Sequence, residues 1–182
     1  MKISSTPLPG LMVIEPAVFE DPRGYFFECY SKKIFEGENI LTDFVQDNQS
    51  CSQKDVLRGI HFQKPPHAQA KLVRVLEGAA LDVAVDIRSG SPTYGQYYSI
   101  ELSGKNKKML FIPRGFAHGF LTLRDTTVFH YKCDQFYNKS AEVSIQWNDP
   151  DLNIQWGITN PIVSEKDKQG ITFRGMPSYF EK

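Results

Sequence analysis

The stretch Leu81-Asp82-Val83-Ala84-Val85-Asp86-Ile87 alternates between large aliphatic residues and small or acidic ones. A period of two is typical of a β-strand, because successive side chains point to opposite faces of a sheet. Similar short stretches recur along the chain, separated by turn signals such as Asp21-Pro22-Arg23-Gly24 and Ser89-Gly90-Ser91-Pro92. The pattern predicts an all-β protein, a double-stranded barrel with a few short helices.

The predicted elements are short and numerous. Besides residues 81–87, strands are expected at 11–15, 25–30, 43–52, 56–63, 69–77, 96–103, 109–112, 117–123 and 126–136. Short helical turns are expected after Ser31, through Ile34 and Phe35, and at residues 165–169. Residues 1–182 are interpreted as a single domain, with a tail from about residue 157 that packs over the barrel.

Composition excludes several classes of protein. Hydrophobic residues make up 41% of the chain and charged residues 23%, which suits a globular protein with a filled core. Lys and Arg number 21, as do Asp and Glu, so the formal net charge is zero. This balance argues against binding to nucleic acid or to an anionic membrane through a global positive field, but it allows a small anionic ligand.

Cysteine usage and the chain's start bear on location. The three cysteines, Cys29, Cys51 and Cys133, are odd in number and far apart, so the sequence suggests neither a disulfide framework nor a zinc site. The first ten residues carry no apolar stretch of the signal-peptide kind, and no run approaches the length of a membrane span. We therefore expect a cytoplasmic protein.

Polar residues on strands that should be buried are the informative ones, because an unpaired buried polar group is costly. In Leu57-Arg58-Gly59-Ile60-His61-Phe62-Gln63, alternation puts His61 and Gln63 on one face and Arg58 on the other. A bulge at Gly59 would turn Arg58 to the same side as His61. The plain alternative is that His61 is a structural histidine.

Three further strands show the same anomaly. Lys71 shares a face with Val73 and Val75, although a lysine at a strand end can also simply reach solvent. Tyr131 lies among apolar neighbours, where it could equally be a core ring. The polar side chains of the strand Gln46-Asp-Asn48-Gln-Ser50 fit either a site or a solvent-facing surface.

One motif bears on metal chemistry. Pro113-Arg-Gly-Phe-Ala-His118 matches the P-x-G-x-x-H element of cupin barrels, in which this histidine is usually a metal ligand. The companion H-x-H element reads His61-Phe62-Gln63, and no glutamate follows at Ala68 or in the three residues before it. Because two of four expected ligands are missing, the sequence predicts a cupin barrel with no metal and no cofactor.

Taken together, these segments resemble the dTDP-4-dehydrorhamnose 3,5-epimerases, metal-free cupin enzymes of nucleotide-sugar biosynthesis. The resemblance spans nearly the whole chain. The matching blocks are Asp21–Glu28, Phe44–Asn48, Val56–Gln63, Gln69–Arg74, Leu81–Ile87, Ile112–Phe120, Trp147–Asp151 and Ser164–Asp167. It implies epimerisation at C3 and C5 of dTDP-4-dehydro-6-deoxy-D-glucose, giving dTDP-4-dehydro-L-rhamnose through enolate intermediates.

The resemblance also implies roles for individual residues. His61 resembles the family's general base, Asp167 its orienting partner, Tyr131 the acid on the opposite face, and Lys71 the cation that faces the oxyanion. The positions that match substrate-binding residues are Arg23, Glu28, Gln46, Asn48, Arg58, His118, Glu142 and Lys166, with Tyr137 as a ring beside the sugar or base. Family members are homodimers in which an N-terminal strand crosses over, so Arg23 and Glu28 are expected to serve the partner's site.

Other functions remain open on the residues alone. Within the class, the protein could epimerise only C3 or only C5 of a related sugar. A non-catalytic sugar-binding cupin and a metal-dependent cupin oxygenase are the alternatives from other classes. Metal analysis would identify the oxygenase, and the absence of solvent deuterium uptake would identify the binding protein.

Overall fold

The computed structural model of the protein describes residues 1–181 and consists mainly of β-strands. The strands are β1 (Lys2–Ser5), β2 (Met12–Glu15), β3 (Phe19–Asp21), β4 (Gly24–Phe26), β5 (Gln46–Ser52), β6 (Val56–Gln63), β7 (Lys71–Glu77), β8 (Ala79–Asp86), β9 (Tyr97–Ser103), β10 (Met109–Ile112), β11 (Phe116–Thr122), β12 (Thr127–Cys133), β13 (Glu142–Ser144) and β14 (Ile162–Val163). The helices are α1 (Lys32–Gly37) and α2 (Glu165–Lys168). No helix within residues 1–181 is long enough and apolar enough to cross a membrane.

Two sheets face each other around an inner core. The first sheet has the strand order β1-β2-β10-β7-β12-β5, and the second has the order β13-β6-β11-β8-β9. Neighbouring strands pair antiparallel, except that β14 runs parallel to β6. The inner core includes Val73, Val75, Ala84, Phe120 and Phe129. The predicted all-β, double-stranded barrel is thus confirmed.

The stretch Leu81–Ile87 alternates as predicted, but its aliphatic face points away from the barrel interior. Val83 and Val85 pack outward with Trp156 and Met176 of the C-terminal segment. The other face, which carries Asp82 and Ala84, is also fully buried and points to the inner core. Both faces of β8 are therefore covered, and the small residues are the ones on the inside.

The outer face of the first sheet is covered by the segment around α1. Phe35 and Ile40 are buried there against Leu72 and Met109. The strand predicted at residues 25–30 is wrong beyond Phe26, because the chain there leaves the β3–β4 hairpin and runs across this face without pairing. Tyr30, at the end of the predicted strand, packs instead against Phe35 at a ring distance of 5.1 Å.

The remaining elements match their predictions with small differences. Strands β1, β3, β13 and β14 were not predicted; each has only two to four residues. α1 begins after Ser31 as expected, but the Ser31 side chain makes no capping hydrogen bond. α2 is capped by Ser164, whose side chain accepts a hydrogen bond from the Asp167 N–H.

Candidate active site

Two adjoining cavities lie between the sheets. The first cavity has a volume of about 530 Å³ and the second about 340 Å³. His61, Lys71, Tyr131 and Glu142 line both, so the cavities are two lobes of one site. The other predicted residues found here are Arg58, His118, Lys166 and Asp167 in the first cavity and Gln46, Asn48 and Tyr137 in the second.

The bulge expected at Gly59 is present. β6 and β11 pair His61 with His118 and Arg58 with Phe120, so β6 has one extra residue in this interval. Gly59 has a φ of +105°, and a Cβ there would lie 2.6 Å from the carbonyl oxygen of His118. Only glycine fits so close an approach. As a result, Arg58 and His61 both face the first cavity, as predicted.

His61 is oriented by a buried carboxylate. Its Nε2 is hydrogen-bonded to Oδ1 of Asp167, which is 4% exposed. Burial alone would raise the pKa of Asp167, but the hydrogen bonds from His61 and from the Gly59 N–H hold that pKa below its usual value. The ionised carboxylate fixes the Nε2–H tautomer of the imidazole. Nδ1 of His61 is then the nitrogen that can accept a proton.

The position of Asp167 depends on the C-terminal segment. The parallel pairing of β14 with β6 brings α2 alongside His61. The Asp167 N–H donates to Oγ of Ser164 at 3.2 Å, which fixes the first turn of α2. The contact between His61 and Asp167 therefore joins residues that are 106 positions apart in the chain.

Lys71 begins β7 and points into both cavities. Its ammonium lies 5.8 Å from the centroid of the Tyr131 ring. Part of the side chain is accessible from the cavities, but it lies deep among protein atoms, and burial lowers the pKa of Lys71. The acidic groups of Cys133, Asp82 and Glu142 oppose that shift. The Lys71 amine therefore lies in a poorly solvated place, where any charge acts strongly on its neighbours.

Tyr131 faces the same cavities from the first sheet. It pairs with Asn48 on β5 and with Val73 on β7. Burial raises the pKa of the Tyr131 phenol, and neighbouring acidic groups, Cys133 foremost, add to that effect. The hydroxyl is therefore protonated at neutral pH. Because His61 belongs to the second sheet, the two side chains approach the cavity from opposite sides.

Polar side chains surround the second cavity. The Gln46 amide donates to Oδ1 of Asn48 at 3.0 Å, and its carbonyl oxygen accepts from the Tyr137 N–H at 3.0 Å. The Tyr137 hydroxyl donates to Glu142 at 2.8 Å, and Lys166 contacts the same carboxylate at 2.5 Å. Burial would raise the pKa of Glu142, but these two partners keep it below its usual value.

Two further basic side chains line the first cavity. The Arg58 guanidinium donates to Oγ of Ser52 at 3.1 Å. Nε2 of His118 lies 2.9 Å from Oδ2 of Asp82, and both residues are buried. Asp82 was not predicted as a site residue. The sequence carried one signal, an acidic residue that alternates with aliphatic ones along a predicted strand.

Arg23 and Glu28 do not reach these cavities. Arg23 lies on the turn of the β3–β4 hairpin, where its exposed guanidinium pairs with Asp21. Glu28 follows the hairpin and is also exposed. Within one chain, therefore, the structure does not bring these two predicted residues together with His61.

The metal-ligand positions are engaged in other ways. Within residues 1–181, no three or more His, Cys, Asp or Glu side chains converge as a metal site. Gln63, at the second H-x-H position, donates to the His67 carbonyl at 2.8 Å and accepts from the Asn138 N–H at 2.6 Å. Gln63 thus connects two loops that border the second cavity.

Known proteins resemble this chain over nearly its whole length. A profile of the dTDP-4-dehydrorhamnose 3,5-epimerase family matches residues 5–175. The dTDP-4-dehydrorhamnose 3,5-epimerase of Shigella flexneri is 48% identical over 176 residues, which cover 95% of this chain and 96% of that protein.

Solved structures agree. The crystal structure of dTDP-4-dehydrorhamnose 3,5-epimerase from Elizabethkingia anophelis is 54% identical, with a TM-score of 0.92 and coverage of 96% of this chain and 97% of that one. The dTDP-6-deoxy-D-glucose-3,5-epimerase of Legionella pneumophila, solved with dTDP-4-keto-L-rhamnose, is 44% identical, with a TM-score of 0.93 and coverage of 97% and 94%. Sequence, fold and cavity lead to one conclusion: this chain is an isomerase and belongs to the dTDP-4-dehydrorhamnose 3,5-epimerase family.

Proposed function

We propose that this protein inverts C3 and C5 of dTDP-4-dehydro-6-deoxy-D-glucose, giving dTDP-4-dehydro-L-rhamnose for dTDP-L-rhamnose biosynthesis. One observation carries the proposal. His61 and Tyr131 reach the same cavities from opposite sheets, with Lys71 beside Tyr131. Inversion requires this arrangement, because a single group that returned its own proton would restore the starting configuration.

The C4 ketone makes the protons on C3 and C5 acidic. Nδ1 of His61 removes one of these protons, and Asp167 stabilises the imidazolium that results. The electron pair of the C–H bond moves into an enolate, whose oxygen is stabilised by the Lys71 ammonium. Tyr131 then donates its phenolic proton to the other face of the carbon. The phenolate regains a proton from solvent and the imidazolium loses one, so the step balances.

The nucleotide diphosphate provides the anionic part of the substrate. Arg58, Lys166 and His118 line the first cavity, and a guanidinium binds phosphate oxygens in a bidentate manner. In the second cavity, Gln46 and Asn48 present amide groups next to the ring of Tyr137, which suit the edge and the face of a base. Tyr137 is therefore assigned to the base rather than to the sugar.

This reaction involves proton transfer alone and needs no redox cofactor. We propose that it also needs no metal, because Gln63 takes the place of a ligand and is occupied with two loops. Prolonged treatment with a chelator should leave turnover unchanged, and metal analysis of the purified protein should find no stoichiometric ion. Loss of turnover that a single divalent ion restores would contradict this.

We propose further that the protein is a homodimer in which the β3–β4 hairpin crosses to the partner. The hairpin exposes Phe19, Tyr25 and Phe26, whose exposed fractions are 66%, 57% and 70%. Large aromatic residues that project together from a monomer are typical of an interface. The crossing would carry Arg23 and Glu28 to the partner's cavity.

A subunit-mixing experiment tests whether the β3–β4 hairpin crosses to the partner subunit. Arg23→Ala and His61→Asn should each be inactive as homodimers, since every site lacks one group. Unfolding and refolding the two variants together should restore about one quarter of wild-type activity, because half of the dimers then hold one complete site. Failure to restore activity, with dimers confirmed by light scattering, would place Arg23 in its own chain's site.

The function itself is tested by NMR of the dTDP-4-keto sugar in deuterium oxide. Deuterium at both C3 and C5, with an inverted product, supports the 3,5-epimerase. Label at one carbon identifies a single-site epimerase instead, and no label identifies a sugar-binding protein. The proposed location, the cytoplasm, rests on the sequence alone.

A further inference from the structure

Asp82 is the most unusual buried group in the molecule. It is 0% exposed, and its Oδ2 lies 2.9 Å from Nε2 of His118. Among the buried side-chain nitrogen and oxygen atoms of residues 1–181, Asp82 Oδ1 alone lacks a hydrogen-bond partner. Because a buried carboxylate that is half unsatisfied is costly, such an atom in a native fold calls for a functional explanation.

The neighbourhood of Asp82 is apolar apart from two bases. The His118 ring lies 6.4 Å from the ring of Phe120 and 6.1 Å from that of Phe129, and both rings belong to the inner core. Lys71 is the other base: it makes no ion pair with a carboxylate of residues 1–181, but the charge of Asp82 opposes the lowering of the Lys71 pKa by burial. A charge in such surroundings acts strongly on its neighbours, because little water screens it.

Other groups around Lys71 are already engaged or neutral. The titratable and charged groups that face it are Cys133 and Tyr131 from β12, Asp82 from β8, Glu142 from β13, Arg58 and His61 from β6, and His118 from β11. Glu142 is neutralised by Lys166, and burial raises the pKa of the Cys133 thiol, which stays protonated. Asp82 is then the fully buried carboxylate left to balance Lys71.

We propose that Asp82 is a positioning residue for the epimerisation: its carboxylate accepts a hydrogen bond from Nε2 of His118 and, beyond ion-pair distance, is the counter-ion of Lys71. This inference rests on the proposed function for its kinetic consequences. With Nε2 bonded to Asp82, Nδ1 of His118 has no partner within residues 1–181 and is not among the buried orphan atoms, so it opens to the first cavity. Asp82 thereby presents His118 to a polar group of the sugar nucleotide.

The kinetic test is Asp82→Asn, which keeps the shape and removes the charge. Without its counter-ion, Lys71 should lose its proton at lower pH. The alkaline limb of the kcat profile should move down by about one pH unit or more, and kcat at neutral pH should fall about tenfold or more. An alkaline limb at the wild-type position would overturn the counter-ion role.

Asp86→Asn is the matched control. Asp86 lies on the same face of β8 and is also 0% exposed, but it binds Arg88, Ser91 and Thr93 and lines neither cavity. This variant should lower stability and leave the alkaline limb where it is. If both variants moved the limb equally, the effect would be general destabilisation, and the proposal would be wrong.

A second measurement needs neither substrate nor a folded Asp82 variant. Nitrogen NMR of wild-type protein with ¹⁵N-labelled histidine, assigned with His118→Gln, should show His118 protonated at Nε2 between pH 6 and 9. A His118 protonated at Nδ1 alone would overturn the proposal even if Asp82→Asn failed to fold. If wild-type protein failed to turn over the dTDP sugar while His118 was protonated at Nε2, the proposed function would fail and the Asp82–His118 assignment would stand.

Discussion

The two sheets hold the residues of the proposed catalytic set in different ways. On the second sheet, His61 and Glu142 are each fixed by ionic hydrogen bonds, to Asp167 and to Lys166. On the first sheet, the Lys71 ammonium and the Tyr131 hydroxyl make no hydrogen bond to any atom of residues 1–181, and both face the cavities.

This difference shows two ways to prepare a reactive group. On the second sheet, hydrogen-bond partners hold the pKa values of Asp167 and Glu142 low despite burial. On the first sheet, burial is the main influence: it lowers the pKa of Lys71 and raises that of Tyr131. Both shifts favour the uncharged form of the side chain. The substrate would therefore meet a proposed base, His61, that is held by a hydrogen bond, and a proposed acid, Tyr131, that is poorly solvated.

The largest effect on activity is expected at His61, the proposed base. His61→Asn removes the group that forms the enolate, so deuterium exchange and epimerisation should both fall about 10³-fold or more. NMR of the substrate in deuterium oxide measures the two together. Exchange at the wild-type rate would show that another residue removes the proton, and the contrast between the sheets would lose its catalytic meaning.

Lys71→Met should separate activity from stability. Loss of the ammonium should reduce transition-state stabilisation by about 2–4 kcal/mol. The same change removes a buried charge that lacks a hydrogen bond but also takes a counter-charge from Asp82, so the free energy of unfolding should change by less than about 1 kcal/mol. Steady-state kinetics and urea unfolding test the two halves. A folded variant that turns over at the wild-type rate would exclude the role in enolate stabilisation.

Tyr131→Phe should separate proton removal from inversion of configuration. His61 can still remove the proton, so deuterium should enter C3 and C5, but protons return from the same side. Inverted product should fall about 10²-fold, while exchange continues. Coupling constants in the proton spectrum report the configuration. Normal epimerisation by this variant would contradict the assignment of the two faces.

The smallest effect concerns stability at acid pH. The folded-state pKa of Glu142 is lowered, so its contribution is complete above the unfolded value of about 4.3 and is lost as pH falls through the lower folded value. Glu142→Gln should therefore be less stable than wild type by about 1 kcal/mol at pH 7. The two proteins should converge in urea unfolding as pH falls below the lowered folded pKa of Glu142, and a difference that stays constant with pH would refute this linkage.

Several features of the site could be predicted from local sequence. Polar residues on apolar strands identified His61, Lys71 and Tyr131, and Gly59 identified the bulge that turns Arg58 inward. These signals work because a strand has a fixed period and because burial of a polar group is costly, both of which are local properties. The assignment of their roles came from the family resemblance.

Other features depended on contacts that no local pattern records. Strand β14 has two residues and exists because β6 lies beside it. The inward face of β8 could not be predicted, since both faces are buried and the larger residues cover the C-terminal segment. Asp82 was missed for the same reason, because it lies opposite the large aliphatic residues, and no local pattern shows that this face points into the barrel.

The distance along the chain between His61 and Asp167 has a consequence for synthesis. A ribosome completes the barrel strands before it makes residue 167, so a nascent chain holds a base without its orienting carboxylate. We therefore expect activity to begin only when the segment carrying β14 and α2 docks against β6. Turnover would then report that folding has finished, and a chain shortened before Asp167 should lose it.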